Sequence, residues 1–434
     1  MRPGRLIHWI LPLVILQVAG CWLYLRGHAG EPAVSPLPEA PEPAIPVDWV
    51  EDLNTTIVND LSNLPAMDQV VDSFMRFWSL KGVSLAVVRN DSLLYARGYG
   101  KADPSTPMTP GTTLRLASVS KLLTAIGIMR LQEQGKVFLE TPVFGPFGVL
   151  NEYDRFIKDD NYYLMTVGHL LRHQGGFTTR GGDVMFSTQR FMQKHGLSEP
   201  PSSEFLVRKE VARPLQFEPG TSQEYSNFGY LLLSMIIEKV AGMPYEEFMQ
   251  KEVFEPARCH GFHLGGDYLQ DRLPGETRYF VQPDDQPVVS FDGKYASTIR
   301  CYGGNYISGL YGAGGWVGST VELARLVCAI DGVGPVPDLL DPFSVRQMTV
   351  WYDDETYGLG WLDCRPDGEW TRTGSFAGTS ALIKKYADGE TWIFVTNTST
   401  WRGSRFTRNT GALCRNLRDR FDSQLPTRDL FREN

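Results

Sequence analysis

Apolar residues recur with helical spacing in residues 65–82 (PAMDQVVDSFMRFWSLKG), which predicts a helix that stops at the closing glycine. Residues 83–100 (VSLAVVRNDSLLYARGYG) place two runs of β-forming residues around Asn90 and Asp91, which predicts a β-hairpin. Helical patterns and long loops then occupy the chain from about 115 to 345. The hydrophobic pattern therefore separates a strand-forming beginning from a helical middle.

Strand patterns return near the end of the chain. Four short runs follow one another, TYGLGWLD, EWTRTGS, TSALIKKYADGE and TWIFVTNT, and a last helix is expected around residues 410–423. Sequential strands joined by short turns imply antiparallel pairing. We therefore expect an α/β fold of the α+β sandwich kind, in which both ends of the chain share one antiparallel sheet flanked by the N- and C-terminal helices. The mostly helical middle would form an inserted lobe, with a site in the cleft between lobes.

The N-terminus carries a targeting signal. Arg2 and Arg5 precede a mostly apolar run from Leu6 to Leu25, and 20 helical residues at about 1.5 Å each cover the hydrocarbon core of a bilayer. Residues 1–28 are therefore predicted to be a signal or membrane-anchor segment. Either the run stays as an anchor, or VAGC is a lipoprotein cleavage box and Cys21 carries lipid. Both place the rest of the chain in the cell envelope, on the extracytoplasmic (periplasmic) side and tethered to the membrane by a helix or lipid.

A proline-rich linker is predicted at residues 29–50, because six prolines fall within AGEPAVSPLPEAPEPAIPV and such a stretch cannot bury a core. Residues 51–434 are then the folded unit. Within it we expect a sheet lobe at about 65–115 and 345–425, and a helical lobe at about 116–344.

Composition excludes several classes of function. The net charge of −8, without a basic stripe, argues against a nucleic-acid partner. The six cysteines lie far apart without C-x-x-C spacing, which favours neither a zinc site nor a disulfide framework. His260 and His263 lie beside glycines and are expected in a loop, so no metal is predicted. Phosphate-binding and dinucleotide motifs are also missing, so no cofactor is predicted.

Candidate chemistry begins in LRLASVSKLLTA (114–125). Ser118 and Lys121 are three residues apart near the start of a predicted helix, so they share a face, and the Ser118 N–H belongs to the first turn, which lacks intrahelical partners. A serine hydroxyl needs a base before it becomes a good nucleophile, and a lysine serves if burial lowers its pKa. The same spacing also fits a solvated lysine beside a polar side chain. This motif alone does not decide between the two interpretations.

Two other short motifs carry polar residues next to turns. Tyr225-Ser226-Asn227 stands before a strongly apolar helix, and Thr373-Gly374-Ser375 follows Arg372 on a predicted strand. Taken singly, the first fits an N-terminal cap with a packing tyrosine, and the second fits an ordinary edge strand near a turn.

Together, in this order, the three motifs resemble the penicillin-recognising serine hydrolases, which include β-lactamases, D,D-peptidases and related esterases. The resemblance covers about residues 65–425, and GHLLRHQGGF, GAGGWVGSTVELARLV and YGLGW are similar to further segments of that family. The tyrosine in Tyr225-Ser226-Asn227 points to the branch of class C β-lactamases and D,D-carboxypeptidases. A β-lactamase/transpeptidase-like fold is implied.

The resemblance also implies roles for individual residues. Ser118 would be the acylated nucleophile, Lys121 its activator and Tyr225 the proton shuttle, while Asn227 would orient Lys121 and a substrate amide. The N–H groups of Ser118 and Ser375 would form the oxyanion hole, and Arg372, Thr373 and Gly374 would bind substrate. Arg372 stands where the family has Lys or His; a guanidinium holds a carboxylate bidentately but does not release a proton. His173 is expected to be structural.

The expected function is a serine acyl hydrolase of the cell envelope that acts through an acyl-enzyme on D-alanyl peptides, small amides, β-lactams or esters. Its partners would be such a small-molecule, peptide or ester substrate and, through the N-terminal anchor, the membrane. The alternative is a non-catalytic ligand-binding or scaffold module that retained the fold. Four tyrosines of the long segment 266–312 are expected to be surface aromatics: Tyr295, Tyr302, Tyr306 and Tyr311.

Overall fold

The computed structural model describes residues 64–282, 285–334, 337–350, 357–399 and 404–432. The predicted anchor, the lipid site at Cys21 and the proline-rich linker lie outside these residues. Among the helices of the described ranges, none has the length and apolar character needed to cross a membrane.

Helix α1 (Pro65–Trp78) has the predicted amphipathic pattern, with Met67, Val71 and Met75 on its buried face. It ends earlier than the glycine that the sequence suggested. Ser79 adopts a left-handed conformation with φ of 55°, and its N–H donates to the Arg76 carbonyl, so the helix is closed there.

The predicted hairpin consists of strand β1 (Gly82–Arg89) and strand β2 (Ser92–Asp103). Its turn residues Asn90 and Asp91 have φ of 49° and 61°, the positive values that a tight two-residue hairpin turn requires. The hairpin prediction is therefore confirmed.

The remaining strands are short in the middle of the chain and longer at its end. They are β3 (Thr106–Pro107), β4 (Leu114–Arg115), β5 (His263–Leu264), β6 (Trp316–Gly318), β7 (Asp363–Cys364), β8 (Trp370–Phe376), β9 (Thr379–Lys385) and β10 (Thr391–Thr396). A seven-stranded sheet has the order β3-β2-β1-β10-β9-β8-β7, and its pairs are antiparallel. Val83 lies opposite Thr396, so the two ends of the chain share one sheet as expected, and the fold class is confirmed.

Most helices lie in the middle of the chain, as expected, and the last helix begins earlier than the predicted residue 410. The helices after α1 are α2 (Ser120–Glu133), α3 (Val167–Leu171), α4 (Thr188–His195), α5 (Ser203–Glu210), α6 (Asn227–Ala241), α7 (Tyr245–Met249), α8 (Thr320–Cys328), α9 (Pro342–Thr349) and α10 (Ser404–Phe421). A second sheet of order β4-β6-β5 lies among them. Strands of two or three residues leave no periodic signal, and for that reason this sheet was not predicted.

Helices α1 and α10 pack against one another beside the large sheet, and α8 packs on strands β1 and β10. Helices α2 and α6 pack together, and α6 is buried along most of its length. The 3₁₀ turn at Ala117–Val119, just before α2, packs against strand β8.

One strand prediction was wrong in its extent. Residues 357–362 do not form a strand, although TYGLGWLD is rich in β-forming residues. Gly360 has φ of 81°, and a Cβ atom there would lie 2.6 Å from the Ala125 Cβ. The backbone at Gly360 therefore packs directly on helix α2, which leaves β7 with two residues.

The long segment 266–312 is anchored by a buried polar cluster. Arg115 is 2% exposed, and its guanidinium donates to the carbonyls of Cys301 and Gly266 at 2.6 and 2.8 Å. Its Nε lies 3.8 Å from Glu276. The expectation of surface aromatics is wrong for Tyr302, which is 3% exposed.

Candidate active site

Ser118 lies in a 3₁₀ turn, Ala117–Val119, which joins strand β4 to helix α2. Helix α2 begins at Ser120, slightly later than predicted. Ala117 has φ of 49°, a left-handed conformation that costs a non-glycine residue on the order of 1 kcal/mol or more. The turn is held by a hydrogen bond of 2.9 Å from the Leu116 N–H to the Trp316 carbonyl.

Lys121 is completely buried, and its ammonium group meets three acceptors. Nζ donates to Asn227 Oδ1 at 2.6 Å and to Ser118 Oγ at 3.3 Å, and a third bond goes to the Ala313 carbonyl. Burial, helped by the positive charge of Arg372 and opposed by Tyr225, lowers the pKa of Lys121 to about 8. A fraction of neutral lysine is therefore present near neutral pH, as a base requires.

Tyr225 contacts the same serine oxygen. Its hydroxyl donates to Ser118 Oγ at 2.7 Å. Burial raises the pKa of Tyr225, but the positive charges of Lys121 and Arg372 and the hydrogen bonds to Lys121 and Ser118 lower it, so the net pKa is lowered. Ser118 Oγ is thus in contact with two groups that can exchange a proton.

His173 supports the tyrosine loop and does not contact Ser118. Its Nδ1 accepts a hydrogen bond of 3.1 Å from the Ser226 N–H, and its ring centroid lies 4.5 Å from that of Tyr225. Burial, with the charges of Lys121 and Arg372, holds the pKa of His173 well below its usual value. The neutral ring therefore packs beneath Tyr225.

Asn227 is fixed on both ends of its amide. Its Oδ1 accepts from Lys121, and its Nδ2 donates to Asp183 Oδ2 at 2.6 Å. Asp183 was not among the predicted site residues. In the sequence, only the glycine pair Gly181-Gly182 before it marks Asp183. In the structure, these glycines have φ values of 92° and 110°, and the sharp turn that they form presents the Asp183 carboxylate.

Strand β8 lies directly against the nucleophile turn. A Cβ atom at Gly374 would be 2.2 Å from the Leu116 carbonyl oxygen and 2.9 Å from the Ser118 nitrogen, so only glycine allows this approach. Thr373 and Ser375 flank Gly374, and Ser375 is exposed. The backbones of Ser118 and β8 are therefore close enough to border one common space.

Arg372 points from β8 toward the same turn. The side chain is 1% exposed, and Nε donates to the Ser118 carbonyl oxygen at 2.7 Å, with a second bond from Nη2 to the same oxygen. Nη2 also lies 3.4 Å from the Tyr225 hydroxyl. The guanidinium therefore faces the main chain of the predicted nucleophile.

The structure separates the two neighbouring serines. Ser120 is fully buried, and its Oγ accepts a hydrogen bond of 3.1 Å from the Trp316 N–H, whereas Ser118 faces Lys121 and Tyr225. The sequence-predicted residues Ser118, Lys121, Tyr225, Asn227 and Arg372 are thus brought together.

A cavity of about 350 Å³ adjoins this group. Ser226 and Asn227 border it, and Phe177, Phe191 and Phe228 contribute apolar wall. Its volume falls in the range of small-molecule sites. The expectation of a loop at His263 is wrong, because this residue pairs with Val317 in strand β5, where its ring contacts Glu246. No three His, Cys, Asp or Glu side chains of the described residues are grouped to hold a metal ion.

This fold and this serine–lysine–tyrosine geometry define the class of β-lactamase-related serine hydrolases. The model of the β-lactamase family matches residues 67–415, and the chain belongs to that family.

Similar proteins include hydrolases of several kinds. The chain is 30% identical over 328 residues to esterase EstB of Burkholderia gladioli, and the matched region covers 70% of this chain and 79% of the esterase. It is 26% identical over 342 residues to penicillin-binding protein 4* of Bacillus subtilis, covering 73% and 68% of the two chains. Among solved structures, D-amino acid amidase from Ochrobactrum anthropi, complexed with L-phenylalanine amide, shares the fold with a TM-score of 0.62 at 20% identity, covering 83% of this chain and 98% of the amidase.

Proposed function

We propose that this hydrolase transfers acyl groups through an acyl-enzyme on Ser118. The observation that carries the proposal is the double contact at Ser118 Oγ, with the Tyr225 hydroxyl at 2.7 Å and the Lys121 ammonium at 3.3 Å. A serine oxygen becomes nucleophilic when an adjacent group accepts its proton. Lys121 and Tyr225 share protons as one coupled pair, and this pair is the proposed base.

In the proposed first step, Ser118 Oγ forms a bond to the substrate carbonyl carbon while its proton passes to the Lys121–Tyr225 pair. The carbonyl oxygen becomes negative and accepts hydrogen bonds from the N–H groups of Ser118 and Ser375, each worth about 3–4 kcal/mol in comparable sites. The close packing of Gly374 on Ser118 supports this pairing of donors.

The intermediate then collapses, and the bond from carbon to the leaving nitrogen or oxygen breaks. Tyr225 returns the proton to the leaving group, which departs as an amine or alcohol. Water attacks the acyl carbon and gives one proton to the same pair. The bond from that carbon to Ser118 Oγ then breaks, the pair returns the proton to Oγ, and the acyl group leaves as a carboxylic acid. Asn227, held by Asp183, keeps Lys121 in place during both steps.

We propose small esters, small amides and D-alanyl peptides as the substrate class, with β-lactams as acylating agents. Esterase, penicillin-binding and amidase relatives support this breadth. The cavity beside Asn227 offers room for a small acyl group. Thr373 and Gly374 stay predicted as substrate-binding residues, whereas the side chain of Arg372 is turned toward the Ser118 carbonyl.

The envelope location is likewise proposed. The apolar run at residues 6–25, behind Arg2 and Arg5, supports a tether that holds the hydrolase outside the cytoplasmic membrane. We expect the full chain to sediment with membranes, and Cys21→Ala to release it only if lipid on Cys21 is the tether. Recovery of the full chain in the cytoplasmic fraction would contradict the proposal.

Covalent labelling tests the acyl-enzyme directly. The full chain, purified in detergent, is treated with a fluorophosphonate and with a fluorescent penicillin, and the adduct is located by peptide mass spectrometry. We expect an adduct on Ser118 that Ser118→Ala abolishes and that Lys121→Ala slows by about 1,000-fold or more, because the serine loses its base.

Ser120→Ala is the matched control, since Ser120 lies two positions away and its hydroxyl accepts from the Trp316 N–H, away from Lys121 and Tyr225. Circular dichroism verifies that each variant is folded. If neither probe adds mass at Ser118 in the folded wild-type chain, the catalytic proposal fails, and the alternative of a non-catalytic ligand-binding or scaffold module takes its place.

A further inference from the structure

The guanidinium of Arg372 is directed at the protein's own main chain. Nε and Nη2 both donate to the carbonyl oxygen of Ser118, which fixes the peptide that follows the nucleophile. Such a two-pronged bond needs the planar fork of arginine, and a lysine at this position has a single point of attachment.

The charge of Arg372 has no carboxylate partner within 4.0 Å in the described part of the chain. Its Nη1 is buried and makes no hydrogen bond there. A buried charge without a counter-ion acts strongly on its neighbours, because little water screens it. The ionisable group in contact with this guanidinium is the Tyr225 hydroxyl, 3.4 Å from Nη2.

We propose that Arg372 is a positioning residue for acyl transfer, which holds the Ser118 peptide and favours the deprotonated form of Tyr225, and that it does not bind a substrate carboxylate. The inference rests on the proposed function, because it assigns a task within the same reaction. It follows that hydrolysis needs no carboxylate on the leaving group, so neutral esters and amides fit this site as well as acids do.

Arg372 is also buried beyond the reach of a substrate. Its side chain is 1% exposed, so a substrate carboxylate has no open path to it. To form a bidentate pair, the guanidinium would have to release the Ser118 carbonyl and thereby loosen the turn that carries the nucleophile. Carboxylate binding and nucleophile positioning are therefore competing uses of one side chain.

The pH dependence involves every titratable group that faces the Lys121–Tyr225 pair. These are Arg372 from β8, His173 from the loop after α3, Asp183 through Asn227, Tyr230 from α6, and Tyr357. His173 is neutral, so Arg372 is the fixed positive charge of the group. Loss of that charge raises the pKa of both Lys121 and Tyr225.

The test uses two variants of the full chain that separate charge from geometry. Arg372→Met removes the charge, and Arg372→Lys keeps it but loses the fork. The second-order rate of fluorophosphonate labelling is followed from acidic to alkaline pH. We expect the acid limb of the Met variant to move to higher pH by about one unit, and the Lys variant to lose about tenfold in rate with its limb unmoved.

A pair of substrates tests the carboxylate. Phenyl acetate and 4-carboxyphenyl acetate share an acyl group and differ in the charge of the leaving group. We expect the ratio of their kcat/KM values to stay within about threefold between wild type and Arg372→Met. A selective loss of the carboxylated ester by about tenfold or more would overturn the proposal, since a bidentate clamp would then have been removed.

Arg365→Met is the control, because Arg365 is an exposed arginine just before the same strand. Its pH profile and substrate ratio should match the wild type. Failure of the two proposals is distinguishable. If the wild-type chain is not labelled, the acyl-enzyme is refuted. If it is labelled but the acid limb of the pH profile does not move in Arg372→Met, only the role of Arg372 is refuted.

Discussion

Arg115 and Arg372 are both almost completely buried, at 2% and 1% exposure, yet their surroundings differ. Arg115 lies against Glu276, two backbone carbonyls and the ring of Tyr279, whose centroid is 4.6 Å from the guanidinium carbon. Arg372 has backbone and hydroxyl partners but no carboxylate among the residues described.

Buried arginine serves two purposes in this fold. The charge of Arg115 is neutralised locally, so its field is confined and the cluster ties segment 266–312 to strand β4. The charge of Arg372 is not neutralised, so it reaches Lys121 and Tyr225 and lowers the pKa of both. In our proposal, the compensated charge of Arg115 supports the fold, whereas the uncompensated charge of Arg372 supports the chemistry.

The largest expected effect comes from breaking the compensated pair. Arg115→Met leaves Glu276 buried without its cation, and we expect the free energy of unfolding to fall by about 3–5 kcal/mol. Urea denaturation of the full chain measures this change.

The double variant Arg115→Met/Glu276→Gln checks the cause. The glutamine side chain in this variant is uncharged and keeps an acceptor for the Tyr279 hydroxyl, which donates to Glu276 at 2.7 Å in the native protein. We expect the double variant to be more stable than Arg115→Met alone. Equal stability of the two variants would show that lost packing, and not the unpaired charge of Glu276, causes the decrease in the free energy of unfolding.

The next effect concerns a buried acid that has no salt bridge within 4.0 Å among the described residues. Asp331 is 6% exposed, and burial raises its pKa to about 7 from an ordinary 3.8, with Asp91 and Asp338 adding to the shift. A raised folded-state pKa stabilises the protein below the ordinary value, and this stabilisation is lost as pH rises through about 7. Asp331→Asn should therefore gain stability over wild type on the alkaline side, on the order of 1–3 kcal/mol.

Thermal unfolding at acidic and alkaline pH measures this difference. Asp331 Oδ1 accepts from the N–H two residues ahead at 3.0 Å, and the exposed Asp367 makes the same bond at 3.1 Å. Asp367→Asn is thus a matched control for loss of the negative charge beside this hydrogen bond at an exposed position. A gain of equal size at both pH values would contradict the titration of Asp331.

The smallest expected effect is on the support of Asn227. Asp183→Ala frees one end of the Asn227 amide, so Lys121 loses a fixed acceptor, and we expect labelling of Ser118 to slow by about tenfold. Asp159 binds backbone N–H groups of another loop and provides the control Asp159→Asn. Unchanged labelling in Asp183→Ala would remove Asp183 from the site.

Local spacing carried the successful predictions. Ser118 meets Lys121 because the two are three positions apart at the start of a helix, and the Asn90-Asp91 turn follows from two residues that tolerate positive φ. The pairing of β1 with the terminal strands could be expected because both ends of the chain carry strand patterns. These inferences need only neighbours along the chain or the class of an element.

Contacts between distant segments could not be predicted. Asp183 reaches Asn227 from an irregular loop, where no periodicity tells which way a side chain points. Period two on β8 places Arg372 and Gly374 on one face, but what faces them depends on the packing of both lobes. For the same reason the sequence suggested a substrate carboxylate for Arg372, and the structure directs it to the Ser118 carbonyl.

Gly374 limits how the protein tolerates change. Strand β8 is paired with β9 along its whole length, so a clash at one residue displaces the strand as a unit. A single methyl group at position 374 would act as a wedge against the Leu116 carbonyl and push Arg372 and Ser375 away together. The proposed electrostatic and oxyanion contributions would be lost in one step, although neither side chain had been altered. Position 374 is therefore closed to every other amino acid, whatever the substrate.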